Sequence, residues 1–252
     1  MFSFEGKTVW VTGSSSGIGK ATGIKFVDLG ANVVFHGLNK DEFDTSFLEK
    51  YEKQGENVLW VEGDVSNKQE VQKMVQKIED KYGQVDILIN SVGAFVKKAR
   101  FEDIEEEIWD KTVDINLKSV YNVINTVFPI MNKEGAGRII NITSSVARNG
   151  GTKEGAAYAA AKGGVTSLTY SLAKQLTDYN ILVNGVSPGL IDSNFHDSNA
   201  PLSSYSRILE QIPLKRAGQP KEVADVAVFL ASEYASYIVG EIIEVSGGRK
   251  LT

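Results

Sequence analysis

Short, strongly apolar runs alternate along this chain with longer segments of helical periodicity, and this alternation constrains the fold more than any other feature. The short runs are rich in β-branched and aromatic residues, which predicts strands. They are Lys7–Thr12, Asn32–His36, Val58–Val61, Val85–Asn90, Arg138–Thr143, Ile181–Val186 and Ile242–Val245. Runs as apolar as these are typical of strands covered on both faces, as in a parallel sheet.

Between the runs, apolar residues recur on one side of each predicted helix. Helices are predicted at Gly19–Leu29, Lys68–Lys81, Thr112–Met131, Ala156–Leu176 and Lys221–Ser232. Strands that alternate with helices predict a parallel sheet with right-handed crossovers. We therefore expect an α/β fold, a doubly wound parallel sheet of about seven strands with helices on both faces.

No linker rich in glycine, proline and serine interrupts this pattern, so residues 1–252 are expected to form a single domain. The least regular stretch, about 191–213, is expected to be a substrate loop with Phe195 and His196 early in it. Long connections in compact domains often cover a binding site, which is the reason for this expectation.

Composition narrows the chemistry that the chain can perform. The absence of cysteine excludes disulfides, thiolate nucleophiles and thiolate-bound zinc, and two histidines leave little material for a metal site, so no metal is expected. A net charge of −5 argues against nucleic acid as a partner. No apolar run approaches the ~20 residues of a membrane span, so no membrane partner and a cytoplasmic location are expected.

A glycine-rich loop joins the first predicted strand to the first predicted helix, with glycines at 13, 17 and 19. Glycine lets the backbone turn sharply and approach a pyrophosphate, whose charge suits the N–H groups at a helix start. The spacing G-x-x-x-G-x-G differs from the G-x-G-x-x-G fingerprint, and a plain strand–helix turn is the alternative. Polar residues at later strand ends, Asp64 and Asn90, favour a ligand at this edge of the sheet.

Tyr158 and Lys162 lie four residues apart in a helical segment of small residues, so they share one helix face. Tyrosine titrates near 10, and a fixed ammonium nearby favours the phenolate and lowers that pKa. Taken alone, the pair also fits an ordinary helix surface.

The motifs taken together resemble the short-chain dehydrogenases/reductases along essentially the whole chain. The resemblance rests on TGSSSGIG at 12–19, GDV at 63–65, NSVG at 90–93, Asn116 in DINLKSVYNV, NITSS at 141–145, YAAAK at 158–162 and SPGLID at 187–192. It implies a Rossmann-type, NAD(P)-dependent oxidoreductase that is usually a homotetramer and sometimes a dimer. The cofactor-binding residues that it implies are Gly13, Ser15, Ser16, Gly17, Ile18, Gly19, Leu38, Asp64, Val65, Asn90, Gly93, Tyr158, Lys162, Pro188, Gly189, Ile191 and Ser193.

The same resemblance implies the catalytic roles. Tyr158 would donate a proton in reduction and accept one in oxidation, while Lys162 would hold the nicotinamide ribose and lower the pKa of Tyr158. Asn116 would anchor a water that relays protons to Lys162. The serine that binds the substrate oxygen is Ser144 when counted from the strand and Ser145 when counted back from Tyr158; we favour Ser144, since the loop between can absorb an extra residue.

Cofactor choice in this family is usually set at the end of the second strand. Gly37 stands at the usual acidic position and Leu38 at the usual arginine position, while Lys40 and His36 are nearby cations that could attract a phosphate. We therefore expect NADP(H) to be favoured weakly over NAD(H).

The function expected from the resemblance is interconversion of a carbonyl and a secondary alcohol, most like a 3-oxoacyl-carrier-protein reductase. The alternatives are a sugar, polyol or other small-alcohol dehydrogenase and, in another class, a non-catalytic dinucleotide-binding regulatory protein. The expected partner is a small-molecule or acyl-thioester substrate. Docking of a carrier protein would need a basic surface, for which the candidates are Lys97, Lys98, Arg100 and Arg138, although ordinary solvated side chains are the favoured interpretation.

Overall fold

The computed structural model describes residues 3–39, 45–53, 57–131, 133, 135–193 and 205–249. Its strands form one seven-stranded parallel sheet in the order β3-β2-β1-β4-β5-β6-β7. They are β1 Thr8–Thr12, β2 Asn32–Gly37, β3 Val58–Glu62, β4 Ile87–Asn90, β5 Gly137–Ile142, β6 Ile181–Pro188 and β7 Ile242–Val245. All seven predicted strands are confirmed, with ends that differ by at most two residues.

The helices follow the strands as predicted, with some differences at their ends. The described helices are α1 Gly17–Asp28, α2 Thr45–Lys53, α3 Lys68–Tyr82, α4 Glu106–Val113, α5 Ser119–Met131, α6 Val146–Asn149, α7 Ala156–Leu176, α8 Ser206–Gln211 and α9 Pro220–Ala231. The segment predicted as one helix over Thr112–Met131 is instead the end of α4, a π-helical turn at Asp114–Lys118 and α5. Helix α4 is short and mostly exposed, with Thr112 as its one buried residue.

Each face of the sheet carries its own helices and core. Along β1, Val9 and Val11 pack into a core that also contains Phe26 of α1 and Val223 of α9. Trp10, which lies between them and is fully buried, packs on the opposite side with residues of α3, α5 and α7. Successive side chains of the strand therefore pack into two cores, one on each face of the sheet. The doubly wound arrangement is confirmed.

The order of the strands reverses between β1 and β4, which are hydrogen-bonded neighbours. Connections from such a pair leave in opposite directions and open a crevice at the carboxyl ends of the strands. The loops after β1 and β4 meet closely there: a Cβ on Gly13 would lie 3.0 Å from the Val92 backbone nitrogen. In the part of the chain that the structure describes, no helix has the length and apolar character needed to cross a membrane.

Candidate active site

A cleft of about 540 Å³ opens at the carboxyl ends of β1, β4, β5 and β6. It brings together most of the residues that the sequence singled out. The predicted residues in its wall are Gly13, Ser16, Gly17, Ile18, Gly19, Gly93, Ser144, Tyr158, Lys162, Pro188, Gly189, Ile191 and Ser193. The volume suits a small-molecule ligand, and the position at the strand reversal is where open α/β sheets bind ligands.

The glycine loop has the backbone that a bound pyrophosphate requires. Gly13 and Gly17 adopt the left-handed conformation, with φ of 62° and 54°, and a Cβ on Gly19 would lie 2.2 Å from the Gly13 carbonyl oxygen. Ser16 at the N-cap makes no side-chain capping bond, and the first turn of α1 has no acidic residue. The N–H groups at this helix start therefore suit the diphosphate of a dinucleotide.

His36 fixes the other half of this loop, a role that sequence analysis missed. Its Nδ1 accepts a hydrogen bond from the Gly13 N–H at 2.9 Å, and its Nε2 donates to the Gly63 carbonyl at 3.0 Å. Burial lowers the pKa of His36 to about 4, so the ring is neutral at physiological pH. The expectation that His36 attracts a phosphate is therefore wrong, since an uncharged ring with both nitrogens engaged has no positive charge to offer.

Tyr158, Ser144 and Lys162 meet in the cleft. The Ser144 side chain lies close enough to Tyr158 to act on its hydroxyl, and the Lys162 ammonium lies 5.9 Å from the centroid of the Tyr158 ring. Ser145, by contrast, is buried beside β6, and its N–H donates to the Pro188 carbonyl at 2.9 Å. Of the two serines, Ser144 is thus the one in the cleft and beside Tyr158.

Burial dominates the electrostatics of this group. It raises the pKa of Tyr158 well above its usual value, and the hydrogen bond from Ser144 acts in the opposite direction. It also lowers the pKa of Lys162 to about 8. In the protein without a cofactor the pKa of Tyr158 is therefore raised, because burial removes the phenolate from water; the predicted lowering by Lys162 stays a prediction.

Lys162 is held by main-chain carbonyls at the ends of two strands. Its ammonium donates to Ile142 at 3.1 Å and to Val92 at 3.4 Å. A Cβ on Gly93 would lie 3.1 Å from this ammonium and 3.2 Å from Asn116 Oδ1. Glycine at 93 therefore lets the loop after β4 pass close to both side chains.

Asn116 lies in the π-helical turn and is fully buried. Its Oδ1 accepts from the Ala94 N–H at 3.0 Å, and its Nδ2 donates to the carbonyls of Ala94 and Thr112, both at 2.9 Å. The side chain thus anchors the loop after β4 through both of its polar atoms. That Asn116 anchors a proton-relaying water stays a prediction, since the observed side-chain bonds of Asn116 are all to the protein.

Five residues predicted to bind the cofactor lie outside the wall of the cleft: Ser15, Leu38, Asp64, Val65 and Asn90. Val65 is buried among the apolar residues behind the sheet, and the Asn90 amide is also buried and donates to Asn141 Oδ1 at 2.9 Å. The Asp64 carboxylate accepts from the Ser66 N–H at 2.8 Å. For these three side chains a structural role explains the position, because each is packed or bonded within the protein.

The end of β2 shows why cofactor choice is hard to infer from its sequence. A Cβ on Gly37 would lie 2.8 Å from the Trp60 indole ring and 3.3 Å from the Ser15 Cβ. A carboxylate at the usual acidic position would therefore require the Trp60 side chain to move. The Leu38 side chain is 64% exposed, and Lys40 lies outside the described residues.

The cleft also contains residues that sequence analysis did not place there. Phe95 stacks on Tyr158, with ring centroids 4.3 Å apart and planes inclined by 27°. Tyr205 and Arg249 line the wall as well, and Lys98 does so although it was considered only for protein docking. Phe95 follows the NSVG motif closely, so an aromatic residue after a strand-end glycine was the available signal. Phe195 and His196 lie outside the described residues.

Comparisons with known proteins agree with this geometry. Residues 13–250 match the family model described as enoyl-(acyl carrier protein) reductase. The 3-oxoacyl-[acyl-carrier-protein] reductase FabG of Thermotoga maritima is 38% identical over 244 residues, covering 97% of this chain and 98% of that protein. The protein of the same name from Staphylococcus epidermidis is 35% identical, covering 96% of this chain and 98% of its own length.

Solved structures show the same fold over the full length. The crystal structure of gox2181 superposes with a TM-score of 0.93 at 31% identity and covers 99% of this chain and 98% of its own. A structure described as "a putative gluconate dehydrogenase" from Agrobacterium tumefaciens gives a TM-score of 0.91 at 28% identity, with coverage of 98% and 97%. The chain therefore belongs to the short-chain dehydrogenase/reductase family and is a nicotinamide-dependent oxidoreductase acting on carbonyl and CH–OH groups.

Proposed function

We propose that Tyr158 is the proton-transfer residue of this oxidoreductase, donating a proton in carbonyl reduction and accepting one in alcohol oxidation. The observation that carries this proposal is that Tyr158 and Ser144 line the same cleft and that the Ser144 side chain acts on the Tyr158 hydroxyl there. Two adjacent hydroxyls can both reach one substrate oxygen, so Ser144 would hold that oxygen while Tyr158 moves the proton. A bound nicotinamide dinucleotide supplies or accepts the hydride.

Lys162 and Asn116 support this pair in different ways. Lys162 keeps a buried ammonium beside the Tyr158 ring, where its charge favours the phenolate once a proton has left. It would also hold the ribose next to the nicotinamide. Asn116 is a positioning residue in this proposal, since its side chain fixes the loop at Ala94 along one wall of the cleft.

The dinucleotide would be held by the glycine loop and by the loops after β4 and β6. Those residues are Gly13, Ser16, Gly17, Ile18, Gly19, Gly93, Pro188, Gly189, Ile191 and Ser193. We propose a modest preference for NADP(H). Its support is that no carboxylate stands at the end of β2 and that the exposed Leu38 leaves room for a phosphate.

The proposed substrate is a 3-oxoacyl thioester, reduced at its 3-oxo group. Two relatives that match nearly the whole chain have the name 3-oxoacyl-[acyl-carrier-protein] reductase, which supports this choice. A small alcohol of the sugar or polyol class is the second candidate, favoured by the structural likeness to a protein named for gluconate. In both cases residues 191–213 would cover the substrate, as Ile191, Tyr205 and Ile208 in the cleft wall suggest.

A broad basic surface for a carrier protein is not formed by the four candidate cations. Lys97 pairs with Glu105 and Arg100 pairs with Glu102, in both cases at 2.8 Å. Arg138 is half-buried at the start of β5, whereas the cleft lies at the carboxyl ends of the strands. Of the four, Lys98 alone lines the cleft.

A turnover screen tests the proposed substrate class. Nicotinamide absorbance would be followed with 3-oxobutyryl-pantetheine, with gluconate and related polyols, and with simple ketones, using both cofactors. We expect the thioester to give the highest kcat/KM. A higher value for a polyol would favour the second candidate, and cofactor binding without turnover of any compound would favour a non-catalytic binding protein.

We also propose that the enzyme is a homotetramer, with a dimer as the alternative, and that it works in the cytoplasm, where nicotinamide cofactors are recycled. The support for assembly is an apolar groove between α5 and α7, lined by Tyr121, Ile124, Asn125, Phe128, Leu168, Leu172 and Leu176. Apolar grooves of this kind on a surface often mark a subunit contact.

A further inference from the structure

We infer that Lys98 binds an anionic group of the substrate, a carboxylate or a phosphate, at a distance from the reacting carbonyl. The inference rests on the proposed function and deepens it by naming a feature of the substrate. The charged side chains in the described wall of the cleft are all positive. Lys98, Lys162 and Arg249 line the described wall, and no aspartate or glutamate does so, although the whole chain has a net charge of −5.

Lys98 differs from its charged neighbours in how it is paired. Lys97 and Arg100 are exposed and form ion pairs with Glu105 and Glu102. Within the described residues Lys98 forms no ion pair; its ammonium donates to the Tyr205 hydroxyl at 3.1 Å and lies 5.3 Å from that ring's centroid. It is also half-buried. A partly dehydrated cation without a carboxylate is a site where an incoming anion is stabilised.

Lys98 lies on the loop after β4, which packs against Tyr158. Phe95, three residues earlier, stacks on the Tyr158 ring. The next residue, Ala99, donates its N–H to the Glu154 carbonyl at 3.3 Å, so the segment runs beside the start of α7. The glycine loop lies instead between β1 and α1. Lys98 is therefore separate in the fold from the residues that suit the cofactor diphosphate.

Tyr205 completes the arrangement. It is the first described residue after position 193, just before α8, and it shares the cleft wall with Lys98. The bond between them joins two parts of the cleft wall, the loop after β4 and Tyr205 just before α8. An anion at Lys98 would therefore lie where these two segments meet.

The test uses two pairs of carbonyl compounds that differ in one anionic group. The first pair is the 3-oxobutyryl thioesters of pantetheine and of 4′-phosphopantetheine, and the second is 5-oxohexanamide and 5-oxohexanoate. The measured quantity is the ratio of kcat/KM for the anionic and neutral members at saturating cofactor. Lys98→Met removes the charge, and Lys97→Met is the matched control, since Lys97 is exposed and lies outside the cleft wall.

We expect wild type and Lys97→Met to prefer the anionic member of at least one pair by about tenfold, equivalent to about 1.4 kcal/mol. Lys98→Met should reduce that ratio to less than about threefold. The pair that responds identifies the group as a phosphate or a carboxylate. Equal ratios in all three proteins, no preference in wild type, or a loss in Lys98→Met that is the same for both members would overturn the inference.

Calorimetric binding of the same four compounds to the cofactor-loaded protein separates this inference from the proposed function. A binding preference that Lys98→Met abolishes, in a protein that turns over none of the compounds, would support the anion site and reject the proposed reaction. Turnover that does not depend on Lys98 would support the proposed reaction and reject the anion site. A higher KM for the cofactor in Lys98→Met alone would assign Lys98 to the cofactor and would also overturn the inference.

Discussion

Tyr158 is affected by burial, by the neighbouring Ser144 side chain and by a ring stacked on its own. Its ring is 8% exposed and is covered on one face by Phe95. Exclusion of water raises its pKa, which keeps the hydroxyl protonated and ready to donate to a developing alkoxide. The nearby Ser144 hydroxyl limits that rise. In the proposed mechanism the reverse reaction needs the phenolate, so it would depend more strongly on the positive charge of Lys162.

The two serines after β5 provide the first prediction. Ser144→Ala should reduce kcat by roughly two orders of magnitude, because it removes the hydroxyl beside Tyr158 and the expected hold on the substrate oxygen. Ser145→Ala should change kcat by less than about threefold, since the Ser145 bond to Pro188 uses the main chain. Steady-state kinetics on both variants decides between them, and the opposite order of effects would transfer the role to Ser145.

His36 provides a prediction about acid stability. Its folded pKa of about 4 lies below the ordinary 6.5, so the unfolded chain binds a proton more readily. The stabilisation from the neutral ring is complete above pH 6.5 and is lost as pH falls towards 4. The free energy of unfolding should therefore decrease over this window by up to about 3 kcal/mol.

His36→Asn keeps an acceptor for the Gly13 N–H but cannot titrate. The dependence of its unfolding free energy on pH between 6.5 and 4 should be flatter than that of wild type, as measured by denaturant titration at each pH. Identical slopes for the two proteins would mean that His36 is not the residue responsible.

At the scale of elements, the ends of the strands determine what the cleft can bind. The loop after β2 shows this for the cofactor: Gly37 packs against Trp60 and Ser15, whereas Leu38 is exposed. Gly37→Asp would change cofactor binding both by disturbing this packing and by adding a negative charge, so its effect could not be assigned to charge alone. A charged residue at the exposed position 38 changes the charge at the end of β2 without disturbing a buried contact.

Leu38→Arg should raise the ratio of kcat/KM for NADPH over NADH by about tenfold, since a guanidinium forms charge-assisted bonds with a 2′-phosphate. Leu38→Gln is the matched control, with a similar chain length and no charge. Kinetics with both cofactors at one ionic strength gives the ratios. Equal ratios for the arginine and glutamine variants would show that Leu38 lies away from the adenosine ribose.

The strands were predictable because the sheet is covered by helices on both faces, which leaves short, strongly apolar runs in the sequence. The short helices α2, α6 and α8 were not, since they span only nine, four and six residues, too few for a helical period to repeat clearly. The π-helical turn was hidden for a different reason. It depends on contacts of Asn116 with Thr112 and, 22 residues earlier, with Ala94, and a spacing rule cannot reveal the distant one.

The site was predictable to a similar extent. Residues in strand-end motifs, such as Gly13 and Gly93, were placed in the cleft because the topology brings strand ends together. The neutral state of His36 was not predictable, since it follows from burial and from partners on two other loops. The stacking of Phe95 on Tyr158 likewise joins residues 63 positions apart in the sequence.

At the scale of the whole molecule, the groove between α5 and α7 leaves apolar side chains on the surface. Tyr121 is 50% exposed there, and the Phe128 ring packs edge-on against Tyr179 with centroids 5.0 Å apart. Both helices also form part of the core behind the sheet, and α7 contains Tyr158 and Lys162. Subunit contact at this groove would therefore support the helix on which the catalytic pair lies.

Light scattering coupled to gel filtration tests this assembly. Wild type should have a mass about four times the 27.5 kDa of one chain; a dimer would have about twice the mass of one chain. Tyr121→Glu, which places a charge in the groove, should shift the mass to a smaller species. Gln72→Glu adds the same charge to the exposed face of α3 and should leave the mass unchanged. A monomeric wild type, or an unaltered mass for Tyr121→Glu, would place no interface at the groove.

The most direct test of the central claim is Tyr158→Phe. The phenyl ring keeps the stacking contact with Phe95, so the fold and the cofactor dissociation constant, measured by fluorescence titration, should be nearly unchanged. We predict that kcat for carbonyl reduction falls by at least two orders of magnitude, because the proton donor has been removed. Turnover within about tenfold of wild type, with the cofactor still bound, would contradict the assignment of Tyr158 as the proton-transfer residue.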